Sequence, residues 1–183
     1  QYDVIIAGAG VSGLFCALSL PKNCNILVLS KDRLDHSDSY LAQGGISVLL
    51  DASDYDTYFE DTLKAGHYEN NREAVDIMIR TSREIIDDLI AYGVTFDKKG
   101  NQYDYTREGA HSSFRILHHD DLTGKEITSK LLAQAQKRKN ITILEYAEML
   151  DIIASNNHCY GVVYQQNQQL KKAFSKFTVF ATG

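Results

Sequence analysis

Val4-Ile5-Ile6-Ala7-Gly8-Ala9-Gly10-Val11-Ser12-Gly13 settles the opening fold. An apolar run that closes on glycine reads as a strand buried on both faces of a parallel sheet. The glycines then follow G-x-G-x-x-G spacing and open a helix predicted from about Val11 to Leu20, stopped at Pro21, the only proline. Gly8 permits the tight turn, Gly10 admits backbone to a pyrophosphate, and Gly13 allows close helix-strand packing. Free N–H groups at the helix start, Ala9 to Gly13, are placed to bind phosphate. Ile26 to Leu29 is a second buried strand, which completes a βαβ unit. A chance glycine turn is the rival reading, and the flanking strand and helix disfavour it.

The motif alone does not separate one dinucleotide from another. An acid is expected about 20 residues beyond the glycines to hold ribose hydroxyls. Here the second strand ends Leu29-Ser30-Lys31, and Asp32 is an imperfect substitute. That departure counts against a plain NAD site.

Composition narrows the class. The 183 residues, 44% of them hydrophobic, can fill one core, and no repeat or linker divides them. A net charge of −5 and a pI near 5.6 disfavour nucleic-acid or anionic-membrane partners. Cys16, Cys24 and Cys159 lack C-x-x-C spacing and read as reduced thiols of a cytosolic protein. The chain opens without an export signal or initiator Met, which reads as a trimmed start, and no apolar run reaches the ~20 residues of a membrane span.

Further along, Asp32 to Ser39 is a polar loop leading into Gln43-Gly44-Gly45. Tyr55, Tyr58, Phe59, Thr62 and Leu63 recur at helical spacing. Asn70 with Glu73 forms a capping box for a longer helix carrying Ile77, Met78, Ile85, Ile86, Leu89 and Ile90, ended by Gly93 in the left-handed region. Val94 to Leu122 has little periodicity but holds Arg107, Glu108, His111, Arg115, His118 and His119. Thr123 with Glu126 caps a helix to about Arg138. Strands follow at Ile141 to Glu145, Met149 to Ala154, Tyr160 to Tyr164 and Phe177 to Ala181, with a turn at Asn156-Asn157. His118-His119-Asp120-Asp121 is not assigned to a metal, because adjacent residues rarely converge on one ion.

Ser39-Tyr40-Leu41-Ala42-Gln43-Gly44-Gly45-Ile46, after Leu29-Ser30-Lys31, resembles the fumarate reductase, succinate dehydrogenase and L-aspartate oxidase flavoproteins. The resemblance implies a Rossmann-type FAD-binding α/β domain, a parallel sheet with flanking helices and a β-rich extension. It sets Gly44 and Gly45 against the flavin ring, where backbone amides can stabilise negative charge. Where many of these proteins carry a flavin-linked histidine, five residues before the Gln, this chain has Asp38, so FAD is expected to be noncovalent. By the same resemblance Glu148 and Met149 touch the adenosine half through backbone atoms. Ala181-Thr182-Gly183 resembles the strand end that passes beneath the FAD.

Thr106-Arg107-Glu108-Gly109-Ala110-His111-Ser112, with Arg115-Ile116-Leu117-His118, looks like the L-aspartate oxidase signature. Glu108 is then implied to face a substrate ammonium, attracting an amino acid and repelling a plain dicarboxylate. A solvated Arg-Glu loop is the bland alternative. The implied reaction is FAD-dependent oxidation of L-aspartate to iminoaspartate, toward quinolinate and NAD. Electrons pass to O2 or fumarate, and quinolinate synthase receives the product, all in the cytoplasm. Residues 1–183 are expected to be the N-terminal part of the FAD-binding domain. The capping and C-terminal helical domains, with the proton-carrying arginine, lie outside it, so the piece alone is expected to be inactive. The rivals are a soluble fumarate reductase or succinate dehydrogenase flavoprotein subunit, and a noncatalytic nucleotide-binding module.

Overall fold

The computed structural model describes all residues from Gln1 to Gly183. In chain order the elements are β1 (Tyr2–Ala7), α1 (Val11–Ser19), β2 (Ile26–Leu29), α2 (Asp38–Leu41), β3 (Ile46–Ser47), α3 (Tyr55–Ala65), α4 (Arg72–Ala91), β4 (Lys98–Lys99) and β5 (Gln102–Tyr103). They continue with β6 (Tyr105–Thr106), β7 (Ile116–Leu117), α5 (Thr123–Lys137), β8 (Ile141–Leu144), β9 (Ala147–Ser155), β10 (His158–Gln166) and β11 (Gln169–Phe180). Two compact units form: Gln1–Ala42 with Ile127–Gly183, and Gln43–Glu126.

The first unit is built on a six-stranded sheet of order β8-β2-β1-β11-β10-β9. β8, β2, β1 and β11 run parallel, whereas β11, β10 and β9 form an antiparallel meander. This is the expected α/β fold with its β-rich extension. Every residue of Ile26–Leu29 is buried, as a central parallel strand requires. Helix α1 buries Gly13, Leu14, Ala17 and Leu18, and α5 buries Ile127, Leu131 and Ala135 at helical spacing. Arg138 donates to the carbonyls of Leu18 (2.7 Å) and Leu20 (2.9 Å), satisfying acceptors that a helix end leaves open. Another core cluster gathers Ile5, Leu27, Leu29, Ala147, Val162, Tyr164 and Ala173.

Two turns define the meander. Asn156-Asn157 and Asn167-Gln168 each form a two-residue hairpin loop with both φ angles positive (50° and 60°, 52° and 61°). Paired positive φ matches the twist of the strands. Only the first turn is legible in sequence, because glutamine carries no turn signal.

The second unit packs α3 on α4 around Tyr58, Leu63, Val75 and Ile79, beside a short three-stranded sheet β3-β7-β6 and the strand pair β4-β5. Helix α4 departs from the sequence reading at two points. Its cap is Asn71, whose side chain accepts from Ala74 N–H at 3.1 Å, one residue later than expected. Its buried stripe is Val75, Ile79, Ser82, Ile86 and Leu89, while Ile77 and Met78 are exposed. Gly93 ends the helix with φ 96°, as expected. α5 starts at Thr123, but Thr123 Oγ1 accepts from His119 N–H at 3.0 Å and Glu126 accepts from Thr95 N–H at 3.0 Å. No helix is long and apolar enough to cross a membrane.

Candidate functional site

In the first unit, the parallel strands β1 and β2 both end at a cleft of about 250 Å3. Ligands of open α/β sheets bind at this end of the strands. Gly8 turns the chain there with φ +118°, a conformation that L side chains rarely adopt. A Cβ on Gly8 would stand 2.0 Å from the Ala181 carbonyl oxygen, so the last residues of the chain also require a glycine. One on Gly13 would stand 2.0 Å from the Gly8 carbonyl, which confirms close helix-strand packing. Gly10 caps α1 without a side-chain hydrogen bond, and no acid occupies the first turn. The leading amides of the helix thus keep their partial positive charge for an anion.

The cleft brings together Gly8, Ala9, Gly10, Ser30, Lys31, Asp38, Ser39, Glu148, Met149, Thr182 and Gly183. Ser12 faces an adjoining hollow with Gly10, Ser39, Thr182 and Gly183, and Val11 sits in the first turn of α1. Ser37 caps α2 by accepting from Tyr40 N–H (3.1 Å), which sets Ser39 over Gly10; a Gly10 Cβ would lie 2.9 Å from Ser39 Oγ. Tyr40, Leu41 and Ala42 do not line the cleft, and Leu41 is exposed.

Arg33 and His36 also line it, and sequence reading did not assign them. Arg33 pairs with Asp35 at 2.6 Å, and His36 Nδ1 lies 3.3 Å from Asp32. Asp32 is held below the usual carboxylate value, chiefly by the Arg33 N–H and then by His36. No spacing rule marks these residues, since a 3-10 turn at Leu34–His36 folds them back. Lys31, Arg33, the bare helix start and the tight glycine turn fit a dinucleotide bearing a pyrophosphate.

In the second unit Gln43, Gly44 and Gly45 lead into β3, which pairs with β7. The Gly45 N–H donates to Glu108 Oε1 at 3.0 Å. A Cβ on Gly44 would meet Glu108 Oε2 at 3.1 Å, and one on Gly45 would meet Ile116 Cγ2 at 2.2 Å. The Q-G-G segment and the T-R-E-G-A-H segment, 63 residues apart, therefore meet at one exposed carboxylate.

Behind that contact lies a buried ionic cluster. Arg115 is wholly buried and pairs with Asp54 (2.7 Å) and Asp61 (2.7 Å). Its guanidinium stands 4.8 Å from the Tyr58 ring centre and donates to His111 Nδ1 at 3.1 Å. Burial, reinforced by the Arg115 charge, holds His111 below its ordinary value. Burial alone would raise the Asp61 carboxyl, but hydrogen bonds from Ser112 and Arg115 outweigh it and the net shift is downward. Arg115 and His111 were visible in the sequence. Their partners were not, because Asp54 and Asp61 come together only through the turn Ala52–Asp54 and the first two turns of α3.

Comparison with known proteins follows the same lines. An L-aspartate oxidase of Clostridium perfringens is 41% identical over 181 residues, covering 99% of this chain and 41% of that protein. One from Clostridium acetobutylicum is 42% identical over 184 residues, covering 100% and 42%. The chain thus spans about two fifths of the length of these curated relatives. They carry the name to which the T-R-E-G-A-H segment pointed. An E. coli quinol fumarate reductase superimposes with a TM-score of 0.93 at 24% identity, over 100% of this chain and 32% of that one, a likeness of fold. The FAD binding domain family matches residues 3–183, a span that includes every residue of the glycine cleft. The chain belongs to the FAD binding domain family, and FAD is its cofactor.

Proposed function

We propose that this chain is the FAD-holding part of an enzyme that oxidises L-aspartate to iminoaspartate. The observation that carries the reading is the Glu108 carboxylate anchored on the Gly45 amide. When bound, FAD supplies a two-electron acceptor for the hydride leaving the substrate Cα. The amides that open α1 would hold the pyrophosphate, with Ser30, Lys31, Glu148, Met149, Thr182 and Gly183 around the nucleotide half. Gly44 and Gly45 would face the flavin ring. Glu108 Oε1 is held by Gly45, which leaves Oε2 to receive the substrate ammonium. A carboxylate there favours an aminated diacid over a plain one, since succinate would bring only like charge.

The test uses the complete protein, mixed without oxygen with L-aspartate or succinate while the flavin absorbance is followed. Bleaching by L-aspartate and not by succinate is the expected outcome. The reverse would assign the chain to a fumarate reductase or succinate dehydrogenase flavoprotein, and absence of flavin bands would leave a noncatalytic nucleotide module. Asp38 supports noncovalent binding because a carboxylate cannot form the histidyl link, so acid precipitation should release the flavin. In this reading O2 or fumarate reoxidises the enzyme, quinolinate synthase takes the product, the reaction is cytoplasmic, and residues 1–183 alone, as the N-terminal part of the FAD-binding domain, turn over no substrate.

A further inference from the structure

Arg115 is buried seven residues beyond Glu108, yet it has nothing left to offer a substrate. A guanidinium has five N–H groups in a fixed fork. Nε donates to Asp54 Oδ2 at 3.1 Å, and Nη2 donates to Asp54 Oδ1 at 2.7 Å and Thr57 Oγ1 at 3.2 Å. Nη1 donates to Asp61 Oδ2 at 2.7 Å and His111 Nδ1 at 3.1 Å. Every N–H has its partner inside the protein. What this arginine does is hold acids in place.

Asp61 is the more informative partner. Its Oδ2 also accepts from the Ser112 N–H (2.8 Å) and the Ser112 hydroxyl (2.8 Å). One oxygen on α3 therefore ties down the residue four positions after Glu108. Between them the chain closes on itself, since the His111 N–H donates to the Glu108 carbonyl at 3.2 Å. The Glu108–Ser112 turn is fixed from within by that bond and from outside by Asp61. At its leading end the Glu108 side chain reaches the Gly45 N–H. A free glutamate on an exposed loop would sample many rotamers, whereas a pinned turn restricts where its carboxylate can go.

We infer that Asp61 is a positioning residue: by clamping Ser112 to α3 it holds the Glu108–Ser112 turn so that the Glu108 carboxylate rests on the Gly45 amide. Arg115 secures Asp61 against the charge cost of its partial burial. The clamp is independent of what Glu108 binds; its catalytic consequence rests on the proposed ammonium contact.

The experiment uses the complete FAD-loaded protein with Ser112→Ala and Asp61→Asn. Ser112→Ala is a mild change at an exposed position, so it reports even if Asp61→Asn fails to fold. Amide hydrogen exchange is read at Gly45, together with kcat and KM for L-aspartate. Ser112→Ala is expected to speed Gly45 exchange roughly 5- to 10-fold, the effect of weakening about one hydrogen bond. KM should rise by a similar factor with kcat little changed. In a Glu108→Gln background, Ser112→Ala should add no further rise, because both changes act through the same contact. Unchanged Gly45 exchange overturns the clamp whatever the kinetics, and a KM rise that persists in the Glu108→Gln background overturns its action through Glu108. Faster exchange with unchanged KM upholds the clamp and instead removes Glu108 as the substrate contact.

Discussion

Gly8 shows how two demands meet at one Cα. Its φ of +118° lies where L side chains are strained, and its missing Cβ leaves room for the Ala181 carbonyl. Gly8→Ala should destabilise the protein by roughly 2–5 kcal/mol, combining backbone strain with overpacking. The midpoint of urea unfolding measures this, and a loss under about 0.5 kcal/mol would contradict it. The role of this glycine was legible from its place after a β-branched run. Asp61 was opaque by comparison: a lone acid on a predicted helix gives no sign of the Ser112 and Arg115 donors it gathers from more than 50 positions away.

Among the elements, long periodic or well-punctuated segments were the readable ones. β1, α1 and β2 follow from apolar runs and glycines, and α3 from its aromatic spacing. α4 was found, but its cap was off by one because two asparagines stand side by side and either can begin a helix. Asn71→Ala should cost about 1 kcal/mol, the usual loss for an N-cap, whereas Asn70→Ala should leave helix capping intact; thermal melts of the two variants distinguish them. The two hairpins make a sharper contrast. Asn157 and Gln168 occupy equivalent left-handed positions, with φ 60° and 61°. Glutamine tolerates that region poorly, so Gln168→Gly should stabilise by about 1 kcal/mol and Asn157→Gly by less. Equal gains in melting temperature would argue against backbone strain as the cause. The two-residue strands β3 to β7 escaped sequence reading because so short a piece has no period to detect.

At the scale of the whole chain, stability should weaken in acid, and the ionic cluster of the second unit sets the window. His111 is depressed from an ordinary value of 6.5 by burial and then by Arg115, with Asp61, Glu108 and Asp54 opposing. A depressed histidine gives stability that is complete above its unfolded pKa and drains as pH falls through the folded one. Asp61, lowered from 3.8, behaves alike further into acid. Urea midpoints should stay level above pH 6.5 and decline below it, and His111→Gln should flatten the first part of that decline. A midpoint that climbs as the pH drops from 6.5 would reverse the assignment. The family and the general fold were readable throughout because glycine spacing and buried strands are local, while the ionic cluster depends on distant segments meeting. That same distance governs assembly. Tyr2 pairs with Ser175 and Ala7 with Phe180, so the first strand acquires its second neighbour only after nearly the whole stretch has been made. At ~5–20 residues per second, a ribosome leaves that apolar edge waiting for on the order of ten to thirty seconds, an interval in which a chaperone would find it open.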